Sequence, residues 1–169
     1  SVEFVLIDFG TEGLAEWIYA HFEWALQTGY LRYLRTDRLP HWHACIAKNT
    51  SHCHARGEIL VNLDCDNFTG RHGAYHIIRV FDKSGGVPRL YHQWSGTSKD
   101  GTYGRIALHR TVWFALGGYD ESFLPMGYQD HDLIMRFCLL HGNSRLLNYT
   151  SPALSSRTRR GGVHVFIQR

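Results

Sequence analysis

Two short apolar runs that each end in an aspartate are the strongest constraint on the fold of this chain. Residues 2–8 read VEFVLID and residues 59–64 read ILVNLD, and both runs are nearly continuous in apolar or β-branched side chains. Such runs are typical of strands covered on both faces, as in parallel sheets flanked by helices. Ligands of these sheets bind at the carboxyl ends of the strands, so Asp8 and Asp64 mark a candidate site.

The rest of the chain alternates between helix-like and strand-like patterns. Apolar residues recur at helical spacing over 12–31. Helices are also predicted over 44–55, 74–81, 111–116 and 130–141. Further strands are predicted over 32–39, 90–94, 106–108 and 146–149. This alternation predicts one α/β domain over residues 1–169, a three-layer sandwich with a mostly parallel central sheet.

Composition narrows the class of protein. Hydrophobic residues make up 44% and charged residues 20% of the 169 residues, which is typical of a soluble globular chain. There is no apolar stretch of membrane-spanning length and no basic segment followed by an apolar one, so we expect neither a membrane span nor an export signal. The net charge of +3 is too small to demand a polyanionic partner, and we expect no nucleic acid.

The residues after the second run suggest a metal. Asp64, Cys65 and Asp66 place two carboxylates two positions apart where the chain leaves the sheet. Hard cations such as Mn²⁺ and Mg²⁺ bind oxygen ligands and often share their shell with substrate phosphates. The pattern therefore predicts a metal and diphosphate site, while a solvated turn is the alternative for Asp-x-Asp alone.

Three blocks of the chain together resemble family 2-type glycosyltransferases of the GT-A fold. Residues 47–49 (AKN) and 55–67 (ARGEILVNLDCDN) resemble one block of those enzymes. A second block is resembled, in order and spacing, by residues 105–110 (RIALHR), 116–123 (LGGYDESF) and 127–133 (GYQDHDL) together with Arg136. Residues 8–13 (DFGTEG) resemble the turn that follows an early strand of the family. The resemblance implies a GT-A, Rossmann-like fold and transfer of a sugar from a nucleotide-diphospho-sugar donor to an acceptor hydroxyl.

The resemblance also implies roles for the strand-end residues in binding a UDP- or GDP-linked donor. Asp8 would contact the nucleoside, and Lys48 would lie near the base. Asp64 would face the ribose or the water shell of the metal, and Asp66 would bind Mn²⁺ or Mg²⁺. His164 is a weaker candidate for a third metal ligand.

On the acceptor side, the resemblance implies that Asp130 is the general base of an inverting transfer. The family has a Glu-Asp pair at this point, whereas this chain has Gln129, an amide that carries no charge. Asp132 and Arg136 are expected to hold the adjacent loop and helix in place. The candidate acceptor contacts are Gln129, Tyr128 and Trp94. Aromatic side chains such as Trp94 stack on sugar rings.

Two other functions stay open. The chain starts after the first strand and helix that the family usually has, so a catalytically inactive, glycosyltransferase-like domain that binds nucleotide or sugar is one alternative. A nucleic-acid-binding module is another, suggested by the basic residues 157–160 and the pI of about 8.7. The sequence does not distinguish a glycan, lipid-linked or protein acceptor, and a homo-oligomer is possible.

Histidine and cysteine residues are dense over 41–54. Their spacing does not give the paired ligands of a structural zinc site, so zinc is the less favoured interpretation. We expect His41 and His43 to border the donor cleft, and His52 and His54 to lie on a helix surface.

The expected compartment is the cytoplasm. Asn49, Asn67 and Asn148 are formal N-glycosylation sites, and a glycan on Asn67 would obstruct the predicted metal site. The four cysteines lack CxxC spacing and are expected to be reduced thiols.

Overall fold

The computed structural model describes residues 1–39, 41–65, 72–94, 102–148 and 164–168, and these form one sheet flanked by helices. The strands are β1 (Glu3–Asp8), β2 (Leu31–Arg35), β3 (Ile59–Asp64), β4 (Leu90–His92), β5 (Ile106–His109), β6 (Leu146–Asn148) and β7 (His164–Gln168). The α-helices are α1 (Leu14–Gln27), α2 (Ala44–His54), α3 (Gly73–Asp82), α4 (Arg110–Ala115) and α5 (Gln129–His141). Each helix and strand predicted from the sequence is present, with ends shifted by a few residues.

The described strands form a seven-stranded sheet in the order β2-β1-β7-β3-β5-β4-β6. Strands β1 and β2 are parallel neighbours, as are β4 and β6. Strand β7 runs antiparallel between β1 and β3, and β5 runs antiparallel between β3 and β4. The other five described strands share one direction, so the sheet is mixed and has the parallel portions predicted from the sequence. Their carboxyl ends meet at one edge, which we call the C-terminal edge.

Two apolar clusters cover the two faces of the sheet. Alternate residues of β3 divide between them: Val61 packs with the α3 residues Ile77 and Phe81, whereas Leu60 packs with the opposite cluster. That opposite cluster also contains Phe137 of α5, whose side chain is fully buried. Burial of these side chains supplies the main stabilisation of the fold. The three-layer arrangement is therefore confirmed.

A glycine turn after α4 sets the position of the following loop. Gly118 has a φ of +69°, and a Cβ there would lie 2.6 Å from the Trp113 ring and 2.8 Å from Asn49 Oδ1. Only glycine tolerates both the left-handed backbone and this close approach. The turn therefore brings the next residue, Tyr119, into the core below α5, where it is 2% exposed.

In the described part of the chain, no helix has the length and apolar character needed to cross a membrane. None of the four cysteines, which all lie in the described ranges, forms a disulfide.

Candidate functional site

Three charged side chains converge at the C-terminal edge of the sheet. A Cβ built on Gly104, in the loop before β5, would lie 3.1 Å from Asp130 Oδ2, 3.4 Å from Lys48 Nζ and 3.5 Å from Asp64 Oδ2. Asp64 ends β3, Lys48 lies on α2 and Asp130 lies in the first turn of α5. We call Lys48, Asp64 and Asp130 the central charge cluster. The bare backbone of Gly104 leaves open the space that a side chain would fill.

Lys48 and Asp130 form a buried ion pair. Lys48 Nζ donates to Asp130 Oδ1 at 2.7 Å, and the two side chains are 3% and 14% exposed. Burial alone would lower the pKa of Lys48, but the charges of Asp130 and Asp64 outweigh burial and raise it. Lys48 is therefore a fixed positive charge at the centre of the cluster. This contact was not predicted from the sequence, and binding of the donor by Lys48 stays a prediction.

A hydrogen-bonded chain of buried polar side chains runs behind Asp130. The Tyr119 hydroxyl donates to Asp130 Oδ1 at 3.0 Å, and Asn62 Nδ2 donates to the same hydroxyl. Because Asn62 donates through its amide nitrogen, its Oδ1 accepts from His52 Nε2–H at 2.7 Å. Burial, followed by the charge of Asp130, raises the pKa of Tyr119 well above its usual value. Tyr119 is therefore a neutral hydrogen-bond donor to the carboxylate.

The expected surface position of His52 is wrong. His52 is 2% exposed and lies against β3, because the polar side chain of Asn62 in that buried strand needs a partner inside the protein. The signal was present in the sequence as a single asparagine within the apolar run ILVNL. His43 does not extend freely into a cleft: its Nδ1 accepts from Ile46 N–H, capping α2, and its Nε2 contacts the carbonyl of Phe123.

Buried His52 should make the stability depend on pH. Burial lowers the pKa of His52 from 6.5 to about 4. The Lys48 charge also lowers this pKa, whereas the hydrogen bond with Asn62 raises it. The folded state favours the neutral form of His52. The contribution of His52 to the free energy of unfolding is therefore complete above pH 6.5 and is lost as the pH falls towards 4. Between pH 8 and pH 5 we expect the loss to be about 2 kcal/mol, or roughly 4–8 °C in Tm. Urea unfolding of wild type and His52→Gln at both values measures this contribution, and equal losses in the two proteins would contradict it.

Asp8 is built into the turn that follows β1. Its side chain is fully buried, and it accepts from the Tyr33 hydroxyl at 2.5 Å and from Thr11 N–H at 2.8 Å. Burial would raise the pKa of Asp8, but these hydrogen bonds and the nearby Arg35 charge lower it below its usual value. The structure thus uses the Asp8 carboxylate to organise the turn, and contact with a nucleoside stays a prediction.

The acceptor-side residues separate into two groups. Trp94 packs edge-on against Tyr103, with 5.5 Å between the ring centroids, and the Tyr103 hydroxyl lies 3.1 Å from His131 Nδ1. Because His131 follows Asp130, this aromatic group lies beside the central charge cluster. Burial, with a smaller contribution from the Asp130 charge, raises the pKa of Tyr103. Trp94 was predicted from the sequence as an acceptor contact, whereas His131 was not predicted to lie at the site.

Tyr128 and Gln129 differ in their exposure. The Tyr128 side chain is 83% exposed at the start of α5, where its backbone has a φ of 62°. Gln129 is buried, and its Oε1 accepts from Gly127 N–H at 2.6 Å. Its amide oxygen is thus used inside the loop. Contact of either residue with an acceptor stays a prediction.

Arg136 holds the loop between α4 and α5, as expected. It donates from Nε to Asp132 at 2.8 Å and from its two terminal nitrogens to the carbonyls of Leu116 and Gly118. These bonds connect α5 to the glycine turn that positions Tyr119.

The metal prediction is only partly covered by the described residues. Asp66 lies outside them. The backbone of His164 pairs with Asp64 in β3 and with Ile7 in β1, which places this residue at the C-terminal edge. Among the described residues, no group of three or more His, Cys, Asp or Glu side chains could hold a metal ion. The His and Cys residues of 41–54 therefore give no support to a zinc site.

The fold of this chain is similar to that of a solved glycosyltransferase. No protein-family model matches the chain, and no curated protein matches it. A mannosyltransferase from Pyrobaculum calidifontis, PcManGT, solved in complex with GDP-Man and Mn²⁺, superposes with a TM-score of 0.69 at 14% identity. The match covers 94% of this chain and 48% of that one, so this chain spans about half the length of the matched protein. The chain therefore has a glycosyltransferase-like α/β fold of the Rossmann-like sandwich type.

Proposed function

We propose that this chain carries the catalytic site of a glycosyltransferase that moves a sugar from a nucleotide-diphospho-sugar to an acceptor hydroxyl. The observation that carries the proposal is the convergence of Asp64, at the end of β3, and Asp130, at the start of α5, on the open space beside Gly104. The matched structure has a similar fold and contains GDP-Man and Mn²⁺. GDP-mannose is therefore the first donor to test, followed by UDP-linked sugars.

The transfer step needs a group that accepts a proton. In the proposed step, Asp130 Oδ2 takes the proton of the acceptor hydroxyl while the acceptor oxygen bonds to the anomeric carbon. The bond from that carbon to the donor diphosphate breaks, and its electron pair leaves with the diphosphate. Attack from the side opposite the leaving group inverts the configuration of the anomeric carbon, so we propose an inverting enzyme.

The carboxylates after β3 fit a hard divalent cation in their chemistry. We assign Mn²⁺ or Mg²⁺ to Asp64 and Asp66, with His164 as a weaker third ligand, since oxygen donors suit these ions. When bound, the ion would neutralise negative charge on the departing diphosphate. Lys48 adds a fixed positive charge close to the same space.

For the acceptor, we propose that Trp94 offers a ring on which a sugar could stack, next to Asp130. Tyr128 and Gln129 are further candidates for contacts with the acceptor. A glycan, a lipid-linked acceptor and a protein are the three acceptor classes to test, and the same assay with each of them separates these.

The hydrogen bonds of Asn49 favour a cellular compartment in which proteins are not N-glycosylated. Its Nδ2 donates to the carbonyl of Tyr119 and to Glu121, each at 2.8 Å. A glycan on that nitrogen would replace one of its two N–H donors, and the bulk of the sugar would separate Tyr119 from α2. We therefore keep a cytoplasmic site of action as part of the proposal, and detection of a glycan on Asn49 of the active protein would contradict it.

Thermal unfolding with a panel of nucleotides tests the proposal. We expect GDP-mannose, or one UDP-linked sugar, to raise the Tm only when Mn²⁺ is present, because a ligand that binds the folded state stabilises it. At a concentration 100 times its Kd the ligand should add about 2.7 kcal/mol, or roughly 5–11 °C. Asp66→Ala should abolish the metal-dependent part of the shift.

Asp120→Ala is the matched control, since Asp120 is an exposed carboxylate that bonds to the neighbouring Ser122 N–H. It should keep the metal-dependent shift. A panel in which no nucleotide raises the Tm with any metal would overturn the proposed donor. A shift without transfer would favour the inactive binding domain.

A further inference from the structure

We infer that Tyr119 is a positioning residue for Asp130. Tyr119 and Lys48 both donate hydrogen bonds to Oδ1 of Asp130, so Oδ2 is the oxygen left to receive the acceptor proton. The inference rests on the proposed function and goes beyond it, because it assigns different roles to the two oxygens of the base. It also gives a function to a buried tyrosine in the glycine turn.

The contacts of the two carboxylate oxygens differ. Oδ1 accepts from Lys48 Nζ at 2.7 Å and from the Tyr119 hydroxyl at 3.0 Å, which uses both of its lone pairs. Oδ2 has a long contact of 3.4 Å with Gln129 Nε2 and faces the space beside Gly104. Rotation of the carboxylate out of its present plane would break both strong bonds at the Oδ1 position. The carboxylate is therefore held in one orientation.

Tyr119 is itself fixed by its backbone and ring. Its N–H donates to Asn49 Oδ1 at 2.8 Å, and its carbonyl accepts from Asn49 Nδ2 at 2.8 Å. Its ring lies 5.2 Å from Lys48 Nζ, within the range of a cation–π contact. The hydroxyl thus has little freedom to move away from Asp130.

The direction of the hydrogen bonds is fixed as well. Asn62 Nδ2 donates to the Tyr119 hydroxyl oxygen, so the hydroxyl proton is left to point to Asp130. Asn62 in turn is held by His52, which donates to its Oδ1. Every donor in this series of hydrogen bonds points towards the carboxylate. This arrangement explains why a buried strand contains an asparagine.

Tyr119→Phe tests the inference, because it removes one hydroxyl and keeps the ring. We expect kcat to fall about 10- to 100-fold, since a base held less firmly spends less time in the reactive geometry. The KM for the donor should stay within about twofold, because donor binding does not use the Asp130 orientation. Tyr91→Phe is the matched control: Tyr91 is also a buried tyrosine, but it packs in the cluster on the opposite face of the sheet.

A second readout does not depend on activity. In wild type with ¹³Cζ-labelled tyrosine, the Tyr119 hydroxyl proton should give a resonance that exchanges slowly with water, and it should shift in Asp130→Asn. Rapid exchange, as for exposed Tyr19, would overturn the contact even if Tyr119→Phe fails to fold. Unchanged kcat in a folded Tyr119→Phe would overturn the positioning role.

The two readouts separate the inference from the proposed function. If wild type transfers no sugar from any donor, the proposed function fails and the positioning role in transfer fails with it. The proton resonance would still decide whether the Tyr119 hydroxyl bonds to Asp130. If wild type transfers sugar and Tyr119→Phe matches it, only the inference fails.

Discussion

Asp130→Asn should lower the rate of sugar transfer by about 10²- to 10⁴-fold, the usual contribution of a general base. The amide cannot accept the acceptor proton, although it has almost the same shape as the carboxylate. Donor affinity should change by less than about threefold, because the donor contacts proposed here lie on Asp8, Lys48, Asp64 and Asp66. Initial rates with saturating donor and a separate donor titration measure the two effects.

The same substitution has a second consequence that needs a control. Lys48 loses the partner that compensates its burial, so Tm should fall as well. Rates must therefore be measured well below the Tm of the variant. Asp120→Asn makes the same chemical change at an exposed carboxylate and should retain the wild-type rate and Tm. A folded Asp130→Asn protein with wild-type transfer would show that Asp130 is not the base.

Lys48→Met should produce the largest loss of stability. Methionine keeps most of the volume of the side chain, but two carboxylates, Asp64 and Asp130, then face each other without the cation. Removing one partner of a buried ion pair costs about 3–5 kcal/mol, and we expect about 3 because Asp130 is partly exposed. For a chain of this length that is roughly 6–12 °C in Tm. Lys83→Met, at an exposed lysine, is the control and should change Tm little.

A double-mutant cycle separates the pair from its surroundings. The Lys48→Met/Asp130→Asn protein should lose less stability than the sum of the single variants, by more than about 1 kcal/mol, because neither charge is left unpaired. Additive losses in urea unfolding would mean that the ion pair does not contribute as the geometry indicates.

The residues at the strand ends were predictable from local pattern alone. The runs VEFVLID and ILVNLD specify buried strands, and an aspartate at the end of each lies at the C-terminal edge provided that the two strands run in the same direction. The start of α5 was also predictable, because acidic residues favour the first turn of a helix. Those two local signals place Asp64 and Asp130 on their elements, whereas the role of Asp130 as a base was implied only by the resemblance to the glycosyltransferases.

The contacts that connect these residues were not predictable in the same way. Lys48 and Asp130 are 82 positions apart, and no pattern in either segment specifies the other. The antiparallel directions of β5 and β7 depend on how the connections cross the sheet, which apolar content does not encode. His52 was placed on the surface because its helix was judged by composition, while its buried partner Asn62 lies on a different element.

The most direct test of the central claim is the release of nucleoside diphosphate from GDP-mannose and UDP-linked sugars, measured with Mn²⁺ and a panel of acceptor glycosides. We expect release from one donor that stops when a chelator removes the metal and falls by about 10²-fold or more in Asp130→Asn. Donors that stay intact with every acceptor, although the folded protein binds the nucleotide, would contradict the claim that the central charge cluster transfers sugar.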